Sequence, residues 1–103
     1  MQIQQGDTLY KSIEVLPDGC AEVKRKKGAV IIAEGEQTGH AHRIFDVDAF
    51  LYELNGKRYL KNEKTVTAKH EEHAPVTIPP GTWEIGIVRE KDWLSGMIGP
   101  VVD

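Results

Sequence analysis

The sequence contains a single cysteine, Cys20, among its 103 residues. Without a second thiol the chain forms no intramolecular disulfide, so nothing in the fold requires an oxidising compartment. The longest uninterrupted apolar run, AVIIA at residues 29–33, is far too short to cross a bilayer. The first residues, MQIQQGD, have neither a basic flank nor a long apolar run, which predicts that there is no secretion signal. We therefore expect a cytoplasmic protein that has no membrane partner.

The sequence also lacks an excess of positive charge, since its formal net charge is −3. Its one basic cluster, KRKK at residues 24–27, precedes Gly28 and has no aromatic residue near it. Nucleic-acid-binding surfaces usually combine more cations with aromatic side chains that stack on bases. We therefore interpret the cluster as the solvated tip of a hairpin and expect no nucleic-acid partner.

No segment has the apolar spacing of a long amphipathic helix. Instead, Gly and Pro recur in QGD, PDG, KKG, NGK and IPPG, and they separate short runs that are rich in Val, Ile, Thr and Tyr. Asn55-Gly56 in FLYELNGKRYL marks a two-residue hairpin turn. A short helical turn over VDAFLYEL fits the same region less well than this hairpin. About eight short strands predict an all-β fold, either a barrel, a roll or a two-sheet sandwich.

The chain has the size of one domain and shows no linker, repeat or low-complexity tract. We therefore expect residues 1–103 to form a single small domain. A chain of this length buries roughly 60–70% of the surface that its unfolded form exposes, which is enough for one core without disulfides. Residues 95–103, SGMIGPVVD, are expected to form a loosely held C-terminal tail, unless their apolar side chains pack on a neighbour.

All four histidines lie in two short windows, GEQTGHAHRI at residues 35–44 and HEEHAPVTIPPG at residues 70–81. In the first window, His40 and His42 stand two positions apart. On a strand, side chains at this spacing point to the same face, so both rings can converge on one ion. The second window lies about three predicted strands further along the chain, far enough for the chain to return to the same end of a sheet.

In the second window, His70 and His73 stand three positions apart, a spacing that does not share a face on a strand. Because KTVTAK before them and APVTI after them both resemble strands, we place the two histidines at the ends of a tight turn. Glu71 and Glu72 then lie at the tip of the turn, where either carboxylate can swing inward as an oxygen ligand.

These residues predict a site for a divalent transition metal. The predicted ligands are His40, His42, His70 and His73. Imidazoles, with or without one carboxylate, suit Zn²⁺, Ni²⁺, Fe²⁺, Mn²⁺ or Cu²⁺, and spacing alone does not choose among these ions. Without a thiolate nearby, an open site with a water position is favoured over a purely structural zinc site. Asp46 and Asp48 are candidates to accept the spare ring N–H of a ligating histidine.

Three functions are compatible with this pattern. In a metal-dependent hydrolase, the metal activates water to attack an ester, phosphoester or similar bond, with Glu71 or Glu72 as general base. In a non-enzymatic interaction module, such as a phage or mobile-element accessory protein, the histidine loops contact a partner; without metal, such rings titrate between about pH 5 and 8. A small-molecule binder with Trp83 at a barrel mouth has less support, because no other polar cluster marks a pocket.

Three blocks of sequence carry a resemblance to a known family: QGD near the start, EGEQTGHAHR in the middle, and HEEHAPVTIPPGTWEI followed by VRE. The chain resembles small, uncharacterised bacterial and phage proteins that pair a T-G-H-A-H block with an H-x-x-H block running into a P-P-G strand. The resemblance implies no activity. A Gln that these proteins commonly have two places before the Glu of the R-E pair is replaced here by Val88, so any role of that Gln does not carry over.

The H-x-H pair is also similar to the first metal ligands of cupins, a family of β-barrels. Cupins add a Glu a few residues later and a further His after a P-x-G turn. In this chain Asp46 stands near the position of that Glu, but PPG follows His73 instead of preceding the last ligand. The similarity therefore implies a barrel-like architecture and nothing about the ligands.

Overall fold

A computed structural model of the protein describes residues 1–34 and 40–88, apart from the side chain of Glu34. The predicted tail at residues 95–103 and the first residues of the GEQTGHAHRI window, 35–39, lie outside the described residues. The described part consists of strands and turns. It contains no helix with the length and apolar character needed to traverse a lipid bilayer.

The ten strands, in chain order, are β1 (Gln2–Gln5), β2 (Thr8–Ile13), β3 (Ala21–Val23), β4 (Val30–Glu34), β5 (Ala41–Ile44), β6 (Ala49–Leu54), β7 (Lys57–Asn62), β8 (Val66–Lys69), β9 (Val76–Ile78) and β10 (Gly81–Ile87). They form a six-stranded sheet in the order β1-β2-β10-β7-β6-β3 and a four-stranded sheet in the order β4-β5-β8-β9. All pairings in both sheets are antiparallel. The predicted all-β class is confirmed, with two sheets that do not close into a barrel over the described residues.

Local turn chemistry explains the clearest hairpin. Asn55 and Gly56 have φ angles of 51° and 80°, which is the left-handed backbone that a two-residue turn of this kind requires. The turn joins β6 to β7 with Leu54 opposite Lys57. The segment VDAFLYEL, for which a helical turn was the alternative, therefore contributes strand β6.

The hydrophobic core is built from alternate residues of both sheets. In the four-stranded sheet, Ile44 of β5 and Ala68 of β8 are buried in this core. Because successive side chains on a strand point to opposite faces, Arg43 and Lys69 lie on the outer face of the same sheet. The register confirms that Arg43 and Lys69 are direct cross-strand partners.

Trp83 belongs to this core and does not line a ligand-binding mouth. Its side chain is 2% exposed. Its ring N–H donates a hydrogen bond of 3.1 Å to the Asn62 side-chain oxygen. The amide nitrogen of Asn62 donates in turn to the backbone oxygens of Lys64, Ile78 and Pro79. The prediction that Trp83 lines a ligand-binding mouth is therefore wrong, because its ring is buried in the core and its N–H is bonded to Asn62.

Candidate metal centre

Strands β5 and β8 bring the two histidine windows together. Arg43 pairs with Lys69, and Ile44 pairs with Ala68. One further step along this antiparallel register sets His42 opposite His70. The ring centroids of His42 and His70 are 4.4 Å apart. Residues that are distant in sequence therefore meet at one end of the four-stranded sheet.

His70 occupies the centre of the cluster. Its ring centroid lies 5.6 Å from that of His40 and 4.4 Å from those of His42 and His73. The rings of His42 and His73 are nearly parallel, with centroids 6.0 Å apart. The structure thus gathers all four histidines predicted from the sequence, and His70 is the ring that contacts each of the others.

The connection between β8 and β9 carries two carboxylates that behave differently. One oxygen of Glu71 accepts a 2.9 Å hydrogen bond from the Ala41 backbone N–H, and the other accepts a 2.6 Å hydrogen bond from Arg43. The Ala41 hydrogen bond, followed by that of Arg43, lowers the pKa of Glu71 to about 2. Glu71 is therefore a fixed anion at neutral pH, which suits a ligand better than a general base.

Glu72 orients two of the histidines. Its carboxylate lies 2.6 Å from Nδ1 of His40. Its backbone N–H donates a 3.0 Å hydrogen bond to Nδ1 of His70. A carboxylate on Nδ1 directs the ring proton of His40 to that side, which leaves Nε2 as the atom for metal binding. The orienting role that the sequence predicted for Asp46 and Asp48 is thus filled by Glu72 for His40.

Gln5, at the end of β1, orients His42. It is 1% exposed. Its side-chain nitrogen donates 2.9 Å hydrogen bonds to the backbone oxygens of Ala68 and Ala74, so its oxygen must be the atom that lies 2.8 Å from Nδ1 of His42. His42 therefore carries its proton on Nδ1 and has its lone pair on Nε2 when neutral.

Asp46 and Asp48, the residues predicted to accept a histidine ring N–H, lie in the connection between β5 and β6. The carboxylate of Asp46 accepts a 3.2 Å hydrogen bond from the Thr67 backbone N–H, so it secures the end of β5 against β8. Asp48 is half-buried in the turn between β5 and β6. An acidic residue that faces His42 is instead Asp7, whose carboxylate lies 3.6 Å from Nε2. Sequence reasoning used QGD as a turn signal and as a block of the family resemblance, and gave Gln5 and Asp7 no role at the site.

The environment favours neutral imidazoles. Burial lowers the pKa of His42, and the neighbouring His70 lowers it further, against an opposing effect of Asp7. Burial is also the largest cause of the lowered pKa of His70, followed by the neighbouring His73. Because only a neutral imidazole has a lone pair to donate, both rings are in the metal-binding form at neutral pH.

The turn between β1 and β2 leaves room for His73. Gly6 has a φ of +58°, and a Cβ added there would lie only 2.5 Å from Nε2 of His73. Gly56 also has a positive φ, but a Cβ there meets no described atom within 4 Å. The two glycines share a left-handed backbone, and only Gly6 has a histidine ring against it.

We expect Gly6→Ala to lower the free energy of unfolding by about 2–3 kcal/mol, since strain in the left-handed backbone adds to overpacking against His73. Gly56→Ala should cost only about 1 kcal/mol, from backbone strain alone. Urea denaturation of both variants measures the difference. In a His73→Ala background, Gly6→Ala should cost no more than Gly56→Ala, and an unchanged cost there would contradict the proposed contact.

Three side chains are arranged as a candidate ligand group. One ligand atom from each of His40, His70 and Glu71 lies within 4.8 Å of the other two. Ligands of a tetrahedral zinc ion, with bonds of about 2.0–2.1 Å, lie about 3.3 Å apart. Small side-chain movements therefore bring the three atoms to bonding distance. The donor set of imidazole and ionised carboxylate fits a divalent transition metal.

Comparison with protein-family models gives a match over most of the chain. A family model with the description "Domain of unknown function (DUF8820)" matches residues 4–88. The matched range includes the QGD turn and both histidine pairs. No curated protein and no solved structure matches the chain. The geometry of the site is therefore the main guide to its chemistry.

Proposed function

The chain belongs to the family described as Domain of unknown function (DUF8820), and we propose that it binds one divalent transition-metal ion in its histidine cluster. The observation that carries this proposal is the grouping of His40, His70 and Glu71, whose ligand atoms lie within 4.8 Å of one another. His40 belongs to the first histidine window, whereas His70 and Glu71 belong to the second. His42 and His73 are further nitrogen donors beside His70. The donors suit Zn²⁺, Ni²⁺, Fe²⁺, Mn²⁺ or Cu²⁺.

The hydrogen bonds of His40, His42 and His70 suggest which ring nitrogen of each would bind the ion. Glu72 and Gln5 hold the protons of His40 and His42 on Nδ1, so each ring would offer Nε2. His70 accepts the Glu72 N–H at Nδ1. An ion would therefore either replace this hydrogen bond at Nδ1 or require the ring of His70 to turn.

We propose hydrolysis as the chemistry that such a centre would support. The β8–β9 turn is open to solvent, with Glu71 and Glu72 both exposed, so a bound ion would keep a position for water. A metal of this kind lowers the pKa of its bound water to about 7. Of the two carboxylates, Glu72 is the better candidate for general base, because the pKa of Glu71 is lowered to about 2.

Metal titration of protein purified without an affinity tag tests the proposal. We expect one equivalent of Zn²⁺ or Ni²⁺ to bind by calorimetry. The affinity should rise as the pH is raised to about 6.5 and change little above it, because the pKa values of His42 and His70 are lowered from 6.5. Mg²⁺ is the control, since it prefers oxygen ligands. A hundredfold excess over Kd should add about 2.7 kcal/mol of stability. Binding of less than half an equivalent would reject the proposal and leave the interaction module as the alternative.

A further inference from the structure

The outer face of the four-stranded sheet carries a cleft next to the candidate metal centre. Its volume is about 390 Å³, within the range of small-molecule sites. Three cationic side chains line it, Lys26, Lys27 and Arg43, and its apolar surface includes Ile31 and Phe45. We call this surface the basic cleft.

The fold presents these cations in an ordered way. Lys27 and Gly28 have φ angles of 52° and 82° and form a tight turn, whose flanking residues Lys26 and Ala29 form a β-bridge. Arg25 donates to the backbone oxygens of Asp46 and Ala49, which fixes the turn against the β5–β6 connection. The basic cluster is therefore more than a solvated hairpin tip, because Arg25 anchors it and the next two lysines line the basic cleft.

The basic cleft continues to the histidine cluster. An adjoining cleft of about 210 Å³ shares Arg43 and Phe45 with it and is completed by Lys69, His70 and Glu71. Arg43 donates a 2.6 Å hydrogen bond to Glu71. A ligand seated on Arg43 and Phe45 would thus lie beside two members of the candidate ligand group, His70 and Glu71.

The charges along this path favour an anion. Arg43 and Lys69 are direct cross-strand partners, an arrangement of like charges that destabilises a sheet unless an anion lies near. Among the described lining residues of both clefts, Glu71 is the one carboxylate, and it is already paired with Arg43. This positive surface occurs on a chain whose net charge is −3. It is therefore a local feature and does not reflect the overall composition.

Phe45 adds an apolar surface in the middle of these cations. Its side chain is 50% exposed, and the ammonium group of Lys69 lies 5.9 Å from its ring centroid. An exposed aromatic ring offers a flat surface on which another ring can stack, while the surrounding cations hold a negative group. This arrangement favours a ligand that has both a flat ring and a negative group.

We propose that the basic cleft binds the ligand on which the metal centre acts: a small organic anion, a phosphate or carboxylate, that carries a flat apolar group. The flat group lies on Phe45, and the negative group lies between Arg43 and the lysines. The role as a substrate site rests on the proposed metal centre, whereas binding of the anion to the basic cleft does not. The metal-free protein should therefore bind the anion too.

Calorimetry with four probes tests this proposal on the full chain without metal. We expect 2-naphthyl phosphate or 2-naphthoate to bind at least about tenfold more tightly than 2-naphthol, which lacks the charge, and than inorganic phosphate, which lacks the ring. Tighter binding of the phosphate identifies a phosphate site, and tighter binding of the carboxylate identifies a carboxylate site. Equal affinity for 2-naphthol and both anions would overturn the proposal.

A matched pair of variants locates the site. Phe45→Ala with Lys26→Gln removes the aromatic ring and one lysine that line the basic cleft, and should weaken binding of the preferred anion about tenfold. Phe50→Ala with Lys61→Gln removes another exposed aromatic and its cross-strand lysine from β6 and β7, and should change the affinity less than about twofold. Equal losses in both double variants would overturn the assignment to the basic cleft.

Two further measurements separate this proposal from the metal proposal. Phe45→Ala with Lys26→Gln should leave the affinity for Zn²⁺ unchanged, since neither residue is in the candidate ligand group. If metal binds to the wild type and none of the anions does, the basic cleft fails and the metal centre stands. If an anion binds and no metal does, the basic cleft stands as a binding site and the metal centre fails.

Discussion

Replacing His70 with alanine is expected to lower the affinity for a transition metal by more than about 100-fold, since loss of an orienting residue alone typically costs 10–100-fold. His70 lies at the centre of the cluster: its ring centroid is 4.4 Å from those of His42 and His73 and 5.6 Å from that of His40. It is also a member of the candidate ligand group. Calorimetry on tag-free protein measures the loss.

Substitution of a second histidine shows which of the rings bind the ion. The ring of His73 packs against Gly6 and stacks on His42. If the ion is held mainly by His40, His70 and Glu71, His73→Ala should lower the affinity by less than about tenfold. If all four imidazoles are ligands, the effects of His73→Ala and His70→Ala should be similar. Wild-type affinity in His70→Ala would contradict both arrangements.

A control variant guards against general damage to the fold. Glu63→Gln alters an exposed carboxylate in the β7–β8 turn, outside the candidate ligand group. It should bind metal as the wild type does. Circular dichroism of His70→Ala should retain the β spectrum, because His70 lies after the end of β8 and its side chain is absent from the hydrophobic core.

The second large effect is expected from Gln5→Leu, which should lower the free energy of unfolding by about 3–5 kcal/mol. Gln5 is almost fully buried, and its amide satisfies the backbone oxygens of Ala68 and Ala74 as well as Nδ1 of His42. Leucine fills a similar volume but leaves these three groups without their partner. Urea denaturation of the metal-free protein measures the change.

Gln4→Leu is the matched control for this substitution. Gln4 precedes Gln5 on β1, is only half-buried, and donates a local 2.8 Å hydrogen bond to the Gly6 backbone oxygen. Its replacement should cost less than about 1 kcal/mol. Equal losses in the two variants would show that the amide of Gln5 has no special role. A slowly exchanging Nδ1–H signal of His42 in NMR spectra should be present in Gln4→Leu and lost in Gln5→Leu.

The local features of the fold were accessible from the sequence because they depend on short-range patterns. Asn55-Gly56 encodes its own turn through its backbone preference. The placement of His70 and His73 in a turn between two strands followed from the apolar runs on either side, and the structure has β8 and β9 there. These inferences required no knowledge of which strands are neighbours.

The supporting residues of the candidate site depend on strand order, which the sequence pattern does not encode. Gln5 and Gly6 reach the histidines only because the β1–β2 turn lies beside the β8–β9 connection, as the hydrogen bond from Gln5 to Ala74 shows. The lowered pKa of Glu71 likewise depends on the strand register, which brings the Ala41 N–H and the Arg43 side chain within hydrogen-bonding distance of its carboxylate. No spacing rule within one segment reports such contacts between distant segments.

The position of β2 between β1 and β10 has a consequence for biosynthesis. A ribosome adds about 5–20 residues per second, so the first hairpin emerges several seconds before β10. An isolated hairpin is marginally stable in water. The acceptors of Gln5 also lie 63 and 69 residues further along the chain. The first hairpin is thus secured only once the β8–β9 connection and β10 have been synthesised, and the four histidines can come together only after residue 73 has left the ribosome.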